Sequence, residues 1–253
     1  MSASFSTALL SRIEDAGINA SAPPQQRLVD GWLLRFSPGA AKRGRCVNAV
    51  AAGVLPLADK LDHCEAVFAQ AGLRPTVRIT PFSKPAELDA TLDARDYTRC
   101  DDTQVLLRCD LAPCELPPAP GLSLERIGAA RFAHVVGGLR QASLALRAAH
   151  AERLVNAPVP FSAWLLRRDG EIVACGQFAL ENDLAGLYDI YTAPPARGRG
   201  LARRLCQEML NHACAQGARH AYLQVEAHNA PALAVYRRLG FAHGYDYHYR
   251  IRG

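Results

Sequence analysis

The chain has 253 residues, enough for two ordinary domains or one large core. Its 49% apolar and 21% charged residues are those of a soluble globular protein, and no run approaches the ~18–20 uncharged apolar residues of a membrane span, so no membrane insertion is expected. The net charge of +5 rests on arginines spread among acids rather than on the clustered basic stripe with stacking aromatics of a nucleic-acid binder, so no nucleic-acid partner is expected.

Residues 1–15 lack a basic start, a continuous apolar core and a small-residue cleavage site; they do not read as a signal peptide, and a cytoplasmic location is expected. Eight cysteines (Cys46, Cys64, Cys100, Cys109, Cys114, Cys175, Cys206 and Cys214) contain no C-x-x-C pair, so reduced, mostly packed thiols are expected. Cys109 and Cys114 with a histidine match no common structural zinc spacing, and no metal is expected.

In chain order, residues 5–16 have helical periodicity, 31–36 read as a strand, 61–71 as a helix ending at Gly72, and 76–80 as an alternating strand. A helix at 85–94 and a strand at 104–109 follow. Pro113, Pro117, Pro118 and Pro120 then interrupt any regular element. The expected division is therefore an N-terminal α/β domain at 1–112, a Pro-rich linker at 113–121 and a second domain at 122–253. The second opens with a strand at 122–127 and helical segments across 129–154. A hairpin follows, with strands 162–167 and 172–180 joined through the turn dipeptide Asp169-Gly170. After it come a strand at 187–192, a helix at 201–216 stopped by Gly217, a strand at 221–226, a short helix at 231–239 and a strand at 245–251. The order predicts a mixed α/β fold with a sheet of about six or seven strands. Residues 61–97 parallel 205–241 at an offset of 144 to 145, as Gly72 and Gly217 illustrate. A duplicated ancestral domain accounts for this, and so does the element order common to α/β units.

Residues 190–202 run from an apolar strand (Ile190, Tyr191, Thr192) through a proline-stiffened turn into a glycine-rich loop that opens a helix at Leu201 and Ala202. Gly198 and Gly200 let phosphate oxygens approach the backbone, and the helix start offers free N–H groups and a positive dipole end. Arg197 and Arg199 add charge-assisted hydrogen bonds, which favours a pyrophosphate. Alone, such a turn is also a common tight connection; a dinucleotide fingerprint is disfavoured because Arg203 stands at its third glycine position. Downstream, Asn229 ends a strand before Pro231, and Tyr236 follows about two turns into the helix. As residues alone, Asn229 also reads as an N-cap and Tyr236 as a core aromatic with a wet hydroxyl.

The R-x-x-G-x-A of Arg197, Gly200 and Ala202, followed by N-x-x-A-x-x-x-Y-x-x-x-G-F from Asn229 to Phe241, resembles the GNAT superfamily of acetyl-CoA-dependent N-acetyltransferases. The likeness covers about half of the chain, residues 122–253. Gly31, Trp32, Lys42, Arg43 and Asn48 look like the leading domain of two-domain members. The resemblance implies a GNAT-like sheet in the C-terminal half, splayed to admit the cosubstrate, preceded by a smaller α/β domain that reads as a degenerate GNAT-like copy. It implies that the loop amides take the pyrophosphate of acetyl-CoA, that Ile190, Tyr191 and Thr192 pair with pantetheine like an added strand, that Asn229 contacts pantetheine, and that Tyr236 protonates the departing thiolate. The reaction that the resemblance implies is acetyl transfer to a primary amine, on a small molecule, peptide or protein, by direct attack in a ternary complex. For the general base Glu226 is first, since its strand runs into the catalytic cleft in the family and alternation puts Gln224 and Glu226 on one face. Asp189 is second and His228 third, with a water chain as the other route. The different-class alternative is a non-catalytic acyl-CoA-binding or sensing module. The N-terminal half has no matching loop and offers Asp89 and Asp93 where the Asn-plus-Tyr helix would stand. It is expected to bind no CoA and either to shape the acceptor cleft or to hold a homodimer.

Overall fold

The computed structural model describes residues 5–37, 39 and 41–253; the first four residues of the segment read as lacking a signal peptide lie outside this set. In chain order the elements are α1 (Thr7–Ala20), β1 (Gln25–Val29), β2 (Trp32–Phe36), β3 (Val47–Asn48), α2 (Leu57–Gln70), β4 (Thr76–Ile79), α3 (Leu88–Asp93), β5 (Tyr97–Arg108), β6 (Leu122–Ile127), α4 (Ala129–Leu139), α5 (Leu144–Val155), β7 (Phe161–Arg168), β8 (Glu171–Glu181), β9 (Leu184–Thr192), α6 (Leu201–Ala215), β10 (His220–Glu226), α7 (Ala230–Arg238) and β11 (Ala242–Arg252). The helical stretch 129–154 is two helices, because Ser143 caps α5 by accepting from the Leu146 N–H at 3.3 Å. Two strands were not expected from the sequence: β1, four of whose five residues are exposed, and β3, only two residues long. Among the described residues no helix is long and apolar enough to cross a membrane.

The chain divides into two compact units. The first takes the described part of Met1–Ala20, Val105–Val225 and Asn229–Gly244. Its strands run β5-β10-β9-β8-β7-β6, with β9 and β10 parallel and β6 to β9 antiparallel neighbours. Both faces are covered, so β7 is a near-continuous buried run. Trp164 and Leu166 pack with Leu205, Met209 and Leu210 of α6, whereas Ala163 and Leu165 pack with Phe132 and Val136 of α4 and Leu154 of α5. Each fully buried aliphatic stabilises by about 1.5–3 kcal/mol. Gly176 lets α6 approach β8: a Cβ there would lie 2.6 Å from Ile190 Cδ1 and 3.1 Å from Met209 Cε.

The second unit takes Ser21–Gln104, Glu226–His228 and Tyr245–Gly253. Its strands run β1-β2-β3-β4-β11, and β11 pairs antiparallel with β4 through His248 to Ile251. Asp30 (φ 41°) and Gly31 (φ 80°) form the two-residue turn of the β1–β2 hairpin. Trp32, Leu34, Val47, Val77 and Ile79 pack against Leu61 and Phe68 of α2 and Leu88 and Leu92 of α3. The buried Lys60 ammonium pairs with the Asp30 carboxylate at 2.6 Å and sits 4.9 Å from the Trp32 ring centroid. The Lys60 hydrogen bond, with those from the Val54 and Leu55 amides, draws the Asp30 carboxyl down to about 2.

Candidate active site

β9 and β10 pair only over Leu184–Leu187 and His220–Leu223; β9 runs on to Thr192 and β10 to Glu226 beyond this register. At the far end of β9 the first unit holds a cleft of about 660 Å³. Ile190, Tyr191 and Thr192 form its strand wall; Arg197, Gly198, Gly200, Leu201 and Ala202 its loop and helix wall; and Asn229 and Tyr236 its α7 wall. Arg199 lies on the same loop but is not among the lining residues.

The loop is built for an anion. Gly198 (φ 77°) and Gly200 (φ 75°) both lie in the left-handed region, and neither would meet an atom within 4 Å of a built Cβ, so backbone conformation rather than crowding selects glycine. Gly200 is the N-cap of α6 and supplies no side chain to the first turn, whose N–H groups are left for a ligand. Arg197 Nε donates to the Thr192 carbonyl at 3.3 Å, which places its guanidinium along the loop wall. Thr192 Oγ1 is buried without a hydrogen-bond partner, a polar atom suited to a polar chain laid along β9. These donors fit the diphosphate and amide groups of a coenzyme A molecule.

Asn229 caps α7, its Oδ1 accepting from the Ala232 N–H at 3.2 Å, and it also lines the cleft. Tyr236 is 9% exposed, with its ring set edge-on to Phe241 at 6.0 Å. Burial, with the nearby Cys206, pushes its phenol above the ordinary range, so the group stays protonated and can give a proton. Glu226 and His228 fall in the second unit and are exposed, with His228 Nε2 3.4 Å from Glu226 Oε2.

Asp189 is differently placed. It stands at φ 52°, where the β8–β9 register shifts between Cys175 and Gln177, so that Asp189 and Ile190 together face Gly176. Arg140, the C-cap of α4, donates to its carboxylate at 2.9 Å and Gln177 of β8 at 2.8 Å; His150 Nε2 of α5 lies 3.3 Å away. Burial pushes this carboxyl up, but the His150 hydrogen bond and the charges of Arg140, His150 and Arg153 outweigh it and hold it far below the usual carboxylate range. An ion-paired carboxylate of this kind is a weak proton acceptor, which counts against Asp189 as the base. Sequence reasoning missed Arg140, His150 and Gln177, which no motif groups; the signal available was Arg147, His150 and Arg153 at i, i+3 and i+6 on one stripe of α5. Among the described residues no group of three or more His, Cys, Asp or Glu side chains could hold a metal ion.

The model of the acetyltransferase (GNAT) family matches residues 140–241, which takes in the cleft and the Asp189 cluster. A mycothiol acetyltransferase of Gordonia bronchialis is 32% identical over 239 residues, covering 90% of this chain and 70% of that protein. The uncharacterized N-acetyltransferase YjgM of Escherichia coli K12 is 34% identical over 84 residues, and the chain spans half of its length. A GCN5-related N-acetyltransferase from Kribbella flavida shares the fold, with a TM-score of 0.69 over 97% of this chain and 96% of that one at 18% identity. With a relative matched over 90% of this chain, and a glycine loop, uncapped helix and tyrosine around one cleft, the chain belongs to the acetyltransferase (GNAT) family.

Proposed function

We propose that this protein transfers the acetyl group of acetyl-CoA to a primary amine by direct attack in a ternary complex. The observation that carries the reading is the convergence of β9, the Gly198–Gly200 loop and Tyr236 on one cleft. Diphosphate is gripped by the loop amides, Arg197 and the start of α6, and pantetheine lies along Ile190, Tyr191 and Thr192 with Asn229 opposite. The amine nitrogen attacks the thioester carbon, the C–N bond forms, and the oxyanion is met by main-chain N–H near Ile190. The C–S bond then breaks, and the thiolate takes the Tyr236 proton. The proton leaving the amine passes to water.

The two sequence halves, 1–112 and 122–253 joined through 113–121, are read as tandem copies of which the second is catalytic. In support, α2, β4, α3 and β5 repeat as α6, β10, α7 and β11. The acceptor is a small-molecule, peptide or protein amine; the name of the Gordonia bronchialis relative, a mycothiol acetyltransferase, puts an acceptor of the mycothiol kind first in any panel. The test is thermal shift with CoA, then acetyl-CoA-dependent thiol release across the panel. Stabilisation by CoA and release with at least one amine are expected; a protein whose melting CoA leaves unmoved contradicts the proposal.

A further inference from the structure

We infer that Asp189 is a positioning residue: held by Arg140 and His150, it locks the β9 bulge and so fixes where the Ile190 main chain faces the reacting carbonyl. The inference rests on the acetyl-transfer reading and deepens it. Two residues of β9, Asp189 and Ile190, face one of β8, so the regular β8–β9 pairing is interrupted there. Ile190 lines the cleft, and Asp189 immediately precedes it. A left-handed residue within a strand interrupts the ladder, and this one is held by side chains from three parts of the fold. Arg140 comes from the C-cap of α4 at 2.9 Å, His150 from α5 at 3.3 Å and Gln177 from β8 at 2.8 Å. Gln177 is fully buried, so the amide cannot swing away. The two helices that supply the other partners are themselves fixed against each other: a Cβ on Gly137 of α4 would lie 2.5 Å from Arg147 Cγ of α5. The α4–α5 pair is thereby tied to the strand that carries the carbonyl site, and the carboxylate serves geometry rather than proton transfer.

The test uses the full chain with Asp189→Asn, His150→Asn and Arg140→Gln, the last being half-exposed and a safeguard should the buried change unfold the protein. Arg131→Ala, which removes an exposed ion pair to Glu125 from the same helix, is the control. Hydrogen exchange at the Tyr188 and Tyr191 amides, which flank the bulge, is expected to quicken in the three variants and not in the control. Turnover is expected to fall about a hundredfold, the loss that follows a misplaced reacting group, with CoA affinity and the shape of the pH–rate profile kept. Unchanged exchange overturns the lock. So does a fall in CoA affinity and melting temperature together with turnover, which marks a general structural role, and so does an Asp189→Asn profile that loses a limb, which marks a proton acceptor. Wild-type protein that releases thiol with no amine sinks the acetyl-transfer reading instead, and the exchange measurement still reports on the lock.

Discussion

Tyr236 reaches the cleft because Asn229 starts α7 where β10 has ended, and the helix then carries residue 236 about two turns onward to the wall. Its phenol gains from that burial: the anion is disfavoured, so the neutral form persists past the ordinary tyrosine range near pH 10. The direction of the shift is compatible with the proposed role, since a proton donor must still hold its proton when the thiolate appears. Tyr236→Phe keeps the ring against Phe241 and removes only the hydroxyl. We expect turnover to fall by roughly 10²- to 10⁴-fold, the range for a lost general acid, with CoA binding and melting temperature retained. Stopped-flow thiol release beside a CoA titration checks it; wild-type turnover would assign the proton to water.

At the scale of elements, the turn from β9 into α6 shows how conformation and ligand space separate. Gly200→Ala meets no atom within 4 Å, but forces a left-handed alanine, worth about 1–2 kcal/mol. Gly200→Asn tolerates that conformation yet still fills the space above the helix start. Melting without ligand should therefore fall for alanine and recover for asparagine, while CoA affinity falls in both by about 1.5–3 kcal/mol, one charged hydrogen bond. Recovery of affinity in the asparagine variant would place the anion elsewhere. This loop was legible from residues 197–202 because a tight turn and a helix start are local, and so was Asn229 with Tyr236. The Asp189 cluster was not, because its members are joined by the pairing of β8 with β9 and by two helices. Strand β1 was hidden for another reason: an edge strand with four exposed residues has no apolar alternation to read.

Over the whole chain, each compact unit draws on sequence from both sides of residues 113–121. The first unit needs α1 and the end of β5, where Val105, Leu106 and Leu107 are buried and β5 covers β10. The second needs the end of β11, paired with β4. A fragment of residues 122–253 therefore retains every motif of the cleft and loses the strand beside β10. Three aliphatic side chains at about 1.5–3 kcal/mol each come to roughly 5–9 kcal/mol, comparable with the 5–15 kcal/mol by which domains are stable at all. The bared β10 edge adds a template for aggregation. The fragment expressed alone should be insoluble, and co-expression with residues 1–121 should return a soluble pair that binds CoA. Size-exclusion chromatography and thermal melting of both preparations decide it. A monomeric fragment that melts like the full chain would mean that the strand exchange contributes little, and that the catalytic half carries its own core.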